Sequence, residues 1–160
     1  MLKQPQKQKG TTLVEFTIVA TFFFILIFSI IEFGRLLFTW HVLNETSRRA
    51  ARLSVICQVS TSEQIDTKIL AIINQVPLPN FTQNNLIVSY LDSTGTKIDE
   101  DLTDEANFNQ IKYVESKIES YQVALLIPLA KFGITFTAPE FKTILPRESL
   151  GVTRTGFSDC

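Results

Sequence analysis

The chain has 160 residues and a formal net charge of −1, with 45% hydrophobic and 19% charged residues. This length suits one compact domain, or a small domain joined to an anchor. The charge lacks the basic excess that is typical of nucleic-acid-binding proteins. His41 is the only histidine, and the sequence contains neither a phosphate-binding glycine loop nor a Gly-x-Ser-x-Gly elbow. We therefore expect no enzyme, no cofactor and no nucleic-acid partner.

The first 31 residues divide into a short basic stretch and a long apolar one. Residues 1–10, MLKQPQKQKG, carry three lysines and end at Gly10. The next 21 residues, 11–31, would form a helix roughly 31 Å long, enough to cross a bilayer core of about 30 Å. In a removable secretory signal, a small-x-small cleavage site follows the apolar run. No such site follows residues 11–31. The pattern therefore predicts a retained membrane-spanning helix.

Glu15 is the one charged residue between Thr11 and Ile31. A carboxylate within the hydrocarbon costs a few kcal/mol on insertion scales, so such a residue usually has a partner. Alternatively, Glu15 lies at the headgroup level near the helix N-terminus, where negative charge is favoured. The sequence leaves both interpretations open.

From Thr11 to about Cys57 there is no proline, and Gly34 is the only glycine. This predicts a single helix of roughly 47 residues, about 70 Å long. Its second half carries a stripe of apolar and small residues that we expect to pack on the chain's own domain. The stripe consists of Leu36, Trp40, Leu43, Ser47, Ala50 and Ser54. Three arginines, Arg48, Arg49 and Arg52, are interpreted as a patch that faces solvent or lipid headgroups.

The remainder of the chain has the pattern of a small α+β domain. Capping-box spacing predicts a helix over Thr61–Gln75, and Leu86–Leu91 is predicted as a strand followed by a turn and a short continuation to Ile98. The main core strand is expected within Tyr113–Leu129. Two more strands are expected over Ile134–Thr137 and Leu150–Thr155, giving an antiparallel sheet of three to five strands on the long helix.

An acidic run and two cysteines could carry further chemistry in this domain. The run Asp99–Glu105 does not match a calcium-binding loop, and such runs are usually solvated. Cys57 and Cys160 match no metal or redox spacing. In an oxidising compartment they could form a disulfide that stabilises the fold by roughly 4–5 kcal/mol. Two thiols, or a crosslink from Cys160 to another subunit, are the alternatives.

Two motifs resemble type IV pilin-like proteins. Gly10, four residues, then Glu15-Phe16 and an apolar helix resemble the prepilin processing site, and the Glu-Phe order resembles its Tad (tight adherence, Flp) branch. The run Glu32-Phe33-Gly34-Arg35, followed by an arginine-rich helical stretch, resembles TadE-like minor pilins or pseudopilins. Thr11 and Thr12 depart from the small apolar residues that are common after the glycine.

The resemblance implies a pilin-like fold and a particular processing pathway. A prepilin peptidase would cleave the Gly10–Thr11 bond at the cytoplasmic side of the inner membrane. Glu15 would neutralise the N-terminal amine of a neighbouring subunit. The implied organisation is a leader over residues 1–10, a transmembrane and spine helix over 11–57, and an extracytoplasmic α+β domain over 58–160. The implied partners are the peptidase, the membrane, other pilin subunits and an inner-membrane assembly platform.

Two functions therefore remain after the sequence has been considered. The first is a structural minor pilin or pseudopilin that takes part in assembly of a Tad/Flp pilus and supports surface adherence. The second is an uncleaved single-pass membrane anchor whose extracytoplasmic domain recruits a partner. The Gly10–Thr11 bond distinguishes them, because an anchor needs only apolar length whereas a pilin is cleaved.

Overall fold

A computed structural model describes residues 11–59, 74–124, 135–154 and 156–157. The predicted leader, Cys160 and nearly all of the helix predicted over Thr61–Gln75 lie outside these ranges. The elements in chain order are helix α1 (Thr11–Ile56), a 3-10 turn (Gln83–Asn85), β1 (Leu86–Leu91), α2 (Glu105–Gln110), β2 (Tyr113–Ile118), β3 (Gln122–Ala124), β4 (Thr135–Thr137), β5 (Phe141–Pro146), β6 (Val152–Thr153) and β7 (Gly156–Phe157).

Helix α1 is continuous over 46 residues, which confirms the long helix predicted from the absence of proline. Every residue of α1 that the structure buries lies in its second half: Thr39, Leu43, Thr46, Ser47, Ala50, Ala51 and Val55. The predicted stripe is therefore right for Leu43, Ser47 and Ala50. It is wrong for Trp40, which is 37% exposed, because the buried face lies one residue nearer the N-terminus, at Thr39.

Strands β1, β2 and β5 form an antiparallel sheet with β2 in the centre. Val114, Ser116 and Ile118 of β2 are buried, while the side chains between them lie on the other face. On that outer face Lys117 pairs with Glu119 at 2.8 Å and with Glu140 at 2.7 Å. The hydrogen bonds from Glu119 and Glu140 raise the pKa of Lys117. One face of the sheet is thus free to pack against α1.

Two apolar clusters hold α1 and the sheet together. The first surrounds Leu43 and Ala50 and includes Ile118 and Tyr121. The second surrounds Val55 near the end of α1. Between them the Ser47 hydroxyl donates to the Ser116 carbonyl oxygen at 3.0 Å. Small side chains at this level let the backbone of β2 approach the helix closely. The long helix packed on a small antiparallel sheet confirms the predicted α+β class.

The predicted main strand is shorter than Tyr113–Leu129. It ends at Ile118, where the chain turns through Ser120 in a left-handed conformation, with φ at 57°. The chain then enters β3, which pairs with β4 in a separate two-stranded sheet. The predicted strand over Ile134–Thr137 is seen as β4, and the stretch 125–134 lies outside the described residues.

Two other predicted strands are shorter in the structure, each for a local reason. The continuation after β1 is a single bridge between Leu91 and Lys97, because Asp92 accepts hydrogen bonds from the backbone amides of Thr94 and Thr96 and closes a tight turn. The strand predicted over Leu150–Thr155 is reduced to β6. Leu150 and Gly151 have φ values of 45° and 78°, which no extended strand can accommodate. Strands β5 and β7 and helix α2 were not predicted.

Candidate assembly site on the N-terminal helix

The first half of α1, up to Ile31, exposes nearly all of its large apolar side chains. By length and composition α1 can cross a membrane, and none of its most apolar 18-residue window is buried. The hydroxyls of Thr17, Thr21 and Ser29 donate to carbonyl oxygens four residues earlier at 2.7–2.8 Å. These three hydroxyls are thereby satisfied within the helix, as a lipid or helix environment requires.

Glu15 and Phe16 lie one turn after Thr11 and are exposed; Phe16 is 70% exposed. Within the described parts of the chain no basic side chain forms an ion pair with Glu15. A partner for its carboxylate would therefore come from a residue that is not described or from another molecule. Gly10 lies outside the described residues, so the processing site and the role of Glu15 stay predictions.

The motif Glu32-Phe33-Gly34-Arg35 stands where α1 leaves its exposed half and meets the domain. Arg35 Nη2 donates to Glu32 Oε1 at 2.9 Å, one turn back on the same helix. The same nitrogen donates to the carbonyl oxygen of Ala124 at the end of β3. The Glu32 side chain is only 13% exposed. Arg35 therefore joins the helix to the second sheet through a charge-assisted contact.

Tyr121 connects this junction to the core. It packs against Phe81, and its hydroxyl donates to the carbonyl oxygen of Pro79 at 2.9 Å. Burial raises the pKa of Tyr121, and the nearby positive charge of Arg35 partly opposes that rise. The phenol thus stays neutral and acts as a hydrogen-bond donor beside the arginine.

Phe33 and Gly34, the other half of the motif, face away from the domain. Phe33 is 61% exposed. A Cβ built on Gly34 would meet no atom of another residue within 4 Å. A glycine inside a helix costs about 1 kcal/mol relative to alanine. The described fold gives no steric reason for this cost.

Comparison with known proteins identifies the segment that carries both motifs. Residues 10–52 match the family model described as TadE-like protein. The chain carries a TadE-like segment. The predicted resemblance is thereby confirmed, and the matched range includes Glu15 and the whole Glu32–Arg35 motif. No curated protein and no solved structure matches the chain.

The TadE-like segment ends before the last turn of α1, where another part of the chain caps the helix. The backbone amides of Leu150 and Gly151 donate to the carbonyl oxygens of Val55 and Ile56 at 2.9 and 2.6 Å. Next to this cap Cys57 is buried and is not a free thiol. Its predicted partner, Cys160, lies outside the described residues, so their pairing stays a prediction.

The predicted charged surfaces are exposed. Arg48, Arg49 and Arg52 lie on the outer side of α1, and Arg49 pairs with Glu45 at 3.0 Å. Within the acidic run, Asp101 accepts from Thr103, and Asp104 caps α2 by accepting from Ala106. The hydrogen bonds from Thr103 lower the pKa of Asp101. No group of three metal-ligating side chains occurs among the residues that the structure describes.

Sequence reasoning found the motif but not its long-range partners. The contact between Arg35 and Ala124 joins residues 89 positions apart, and no local sequence pattern predicts it. The cap on α1 was likewise missed. Its only sequence signal was Gly151, which could have been interpreted as a left-handed turn residue.

Proposed function

We propose that this protein is a minor pilin or pseudopilin that takes part in assembly of a Tad/Flp pilus and so supports surface adherence. One observation carries the proposal. Residues 11–52 of the TadE-like segment lie in a single helix, α1, whose first half is apolar and exposed, while its second half packs on a small sheet domain. Such a helix can hold the domain at a membrane before assembly and can pack against other subunits afterwards.

The proposed organisation follows the two halves of this helix. Residues 1–10 are a leader that a prepilin peptidase removes at the Gly10–Thr11 bond. Residues 11–57 are the transmembrane and spine helix, and 58–160 form the extracytoplasmic domain. Before assembly the N-terminus lies in the cytoplasm and the helix crosses the inner membrane. The partners are the peptidase, the assembly platform and neighbouring pilin subunits.

The proposed role of Glu15 follows from electrostatics. Cleavage would leave a positively charged amine on Thr11, and assembly would remove that amine from water. A buried charge without a partner is strongly destabilising, by about 3–5 kcal/mol. The Glu15 carboxylate of a neighbouring subunit can neutralise the amine, and it is exposed and so accessible for this contact. The pair would set the axial position of adjacent helices.

The mass of the mature N-terminus tests the class. The chain is purified from membranes of cells with and without the prepilin peptidase, and its N-terminal peptide is measured by mass spectrometry. We expect a start at Thr11 only when the peptidase is present. A chain that begins at Met1 in both strains would contradict the pilin proposal. It would favour instead a single-pass anchor whose domain recruits a partner.

The variant Glu15→Ala tests the assembly role. We expect the chain to remain in the membrane with a folded domain, because Glu15 is exposed in the first half of α1, remote from the residues that pack on the sheet. The amount of chain recovered in sheared pili should fall at least about tenfold, the effect of roughly 1.4 kcal/mol. Immunoblots of pilus and membrane fractions measure both quantities.

Glu45→Ala is the matched control for this experiment. Glu45 is also a carboxylate on α1, but it pairs with Arg49 on the same helix. Pilus recovery should stay close to that of the unchanged chain. If Glu15→Ala were incorporated as well as Glu45→Ala, the proposed pairing with the Thr11 amine would be wrong.

A further inference from the structure

Strands β2 and β3 carry the chain along α1 toward the apolar half of the helix. Their successive residues meet α1 at levels that lie progressively nearer that half. In chain order, Val114 shares a cluster with Val55, the Ser116 carbonyl oxygen accepts from Ser47, Ile118 shares a cluster with Leu43, and the Ala124 carbonyl oxygen accepts from Arg35. From Val55 to Arg35 this path follows about 30 Å of helix. The end of β3 therefore lies beside the point where α1 leaves its apolar half.

The chain returns from this point through β4. Thr135 stands opposite Ala124, and Thr137 stands opposite Gln122. Ala138 then joins the apolar cluster that surrounds Leu43. Residues 125–134 connect the two strands and are not among the described residues. Because Ala124 bonds to Arg35 and Thr135 pairs with Ala124, the chain leaves β3 and enters β4 at the same level of α1.

This level coincides with the outer surface of the bilayer that α1 is proposed to cross. If residues 11–31 fill the hydrocarbon core, Arg35 lies about 6 Å beyond it, within a headgroup layer about 5–7 Å thick. If Glu15 lies at the inner headgroups instead, the core begins at Phe16 and extends about 30 Å, to the level of Leu36. In both alignments the end of β3 lies at the lipid surface.

Phe136 exposes an apolar side chain at this level. It stands opposite Val123, one residue before Ala124, yet its side chain is 54% exposed whereas Val123 is buried. The connection 125–134 is also apolar in sequence. Seven of its ten residues are Leu, Ile, Phe or Ala, none is acidic, and Lys131 is its only charged residue. Connections that face water are usually polar, whereas apolar and aromatic residues with a basic one are typical of segments at a membrane interface.

We propose that the membrane-side end of the β3–β4 pair, at Phe136, rests in the outer headgroup layer of the bilayer that α1 crosses. A lipid surface is the partner, because this end of the pair lies beside α1 at the height where its apolar half leaves the hydrocarbon. The inference depends on membrane insertion, which belongs to the proposed function, but it requires neither cleavage nor assembly into a pilus.

The contact gives the domain a second attachment to the membrane. A single helix leaves a domain free to swing about the point where that helix leaves the bilayer. Arg35 couples α1 to the end of β3 through the Ala124 carbonyl oxygen, so a lipid contact at Phe136 fixes the orientation of the domain above the membrane. Incorporation into a filament then requires Phe136 to leave the lipid.

Quenching of tryptophan fluorescence by brominated lipid tests the contact. Trp40 is the only tryptophan of the chain, so Trp40→Phe gives a background in which one new tryptophan reports on its own surroundings. Phe136→Trp places this reporter at the proposed contact. Tyr113→Trp is the matched control, because Tyr113 is also an exposed aromatic strand residue, but it precedes Val114 at the far end of β2. The full chain is reconstituted in phosphatidylcholine vesicles, either plain or brominated on the acyl chains near the headgroup.

We expect bromination to lower the emission of Phe136→Trp at least about twofold and that of Tyr113→Trp less than about 1.2-fold, because only the first reporter lies at the depth that aromatic side chains favour. Gln122→Trp should give an intermediate value, since Gln122 is exposed on the same pair two residues before Ala124. Circular dichroism melts show whether each variant is folded. If Phe136→Trp is not, Gln122→Trp compared with Tyr113→Trp decides the result.

One result would overturn this inference alone: the chain resists extraction from the vesicles by alkaline carbonate, yet bromination affects Phe136→Trp and Gln122→Trp no more than Tyr113→Trp. The pilin proposal would remain, since the N-terminal mass tests it separately. A chain that carbonate extracts would overturn both the inference and the membrane insertion in the proposed function. Quenching of Phe136→Trp in a chain that retains Met1 would support the inference and contradict the pilin proposal.

Discussion

The two halves of α1 have the same backbone geometry but opposite relations to the rest of the molecule. From Thr11 to Ile31 nearly every side chain is exposed, and most are large and apolar. From Thr39 to Val55 one face is buried, and most of that face is small or hydroxylated. The first half has apolar surface and no partner within the described fold. The second half has a partner and uses short side chains to approach it.

The most apolar part of α1 is therefore not the part that stabilises the fold. The burial that stabilises the domain involves Leu43, Ala50 and Val55, not the phenylalanine-rich first half. The first half gains free energy only when lipid or another subunit covers it. Substitutions in the two halves should therefore affect different properties.

Gly151→Ala should cause the largest loss of stability. Gly151 has a φ of 78°, and an added Cβ would lie 2.4 Å from the Cα of Gln58, just beyond the end of α1. The left-handed conformation costs an alanine about 1 kcal/mol, and the clash with backbone adds a few more. We expect the free energy of unfolding to fall by about 4 kcal/mol, measured by urea titration in mild detergent with near-ultraviolet circular dichroism of the tyrosines.

Gly95→Ala is the control that separates strain from clash. Gly95 has a similar φ of 83°, but a Cβ there meets nothing within 4 Å. The loss should be only about 1 kcal/mol. Equal losses at Gly95 and Gly151 would mean that the close approach of Gly151 to the end of α1 does not stabilise the fold.

Leu43→Ala compared with Leu26→Ala tests the two halves directly. Leu43 is completely buried between α1 and the sheet, so its truncation should lower the free energy of unfolding by about 3 kcal/mol. Leu26 is 58% exposed in the first half, and its truncation should leave domain stability unchanged within about 0.5 kcal/mol. The same urea titration measures both. A comparable loss in Leu26→Ala would show that the halves do not act separately.

The elements that sequence could predict are those whose own residues determine them. The absence of proline over 46 residues was enough to predict helix α1. Leu86–Leu91 has β-branched and aromatic residues followed by a turn sequence, and it is strand β1. The two motifs that resemble pilin-like proteins were likewise local, and the match to residues 10–52 confirms the resemblance.

Strand β5 could not be predicted because apolar and polar residues do not alternate regularly along it. Thr143 projects toward α1, where its hydroxyl lies 3.0 Å from that of Ser47, whereas Ile144 projects outward and is 46% exposed. Phe141 and Leu145 on the same inner face are apolar and pack against the core, so the exchange of the central pair interrupts the usual period of two. The pairing of β5 with β2, which places Thr143 opposite Ser116, is a long-range contact that the local sequence does not predict.

Trp40 was misplaced for a related reason. Hydrophobicity favoured Trp40 for the buried stripe, but Thr39 takes that position. The Thr39 hydroxyl donates to the carbonyl oxygen of Arg35 at 2.9 Å, so the threonine can be buried without an unsatisfied polar group. A hydroxyl that is satisfied within its own helix behaves as a small apolar residue, and composition alone does not reveal this.

The smallest expected effect concerns Arg35, at the boundary between the two halves. Arg35→Lys keeps the positive charge but replaces the planar guanidinium with a single ammonium. The lysine Nζ lies one atom nearer the backbone than the arginine Nη2, so it should lose either the Glu32 contact or the Ala124 carbonyl, both of which Arg35 Nη2 reaches. We expect the free energy of unfolding to fall by about 1 kcal/mol, the usual net contribution of one hydrogen bond.

Arg49→Lys is the matched control for this substitution. Arg49 forms the same kind of ion pair on the same helix, with Glu45, but the two side chains are 60% and 43% exposed, against 30% and 13% for Arg35 and Glu32. Surface pairs of that kind contribute little, so the loss should be below about 0.5 kcal/mol. If both lysine variants lost the same stability, the bond to Ala124 would not join α1 to the second sheet. A larger loss at Arg35 would make it the residue through which the exposed half of α1 sets the position of the second sheet.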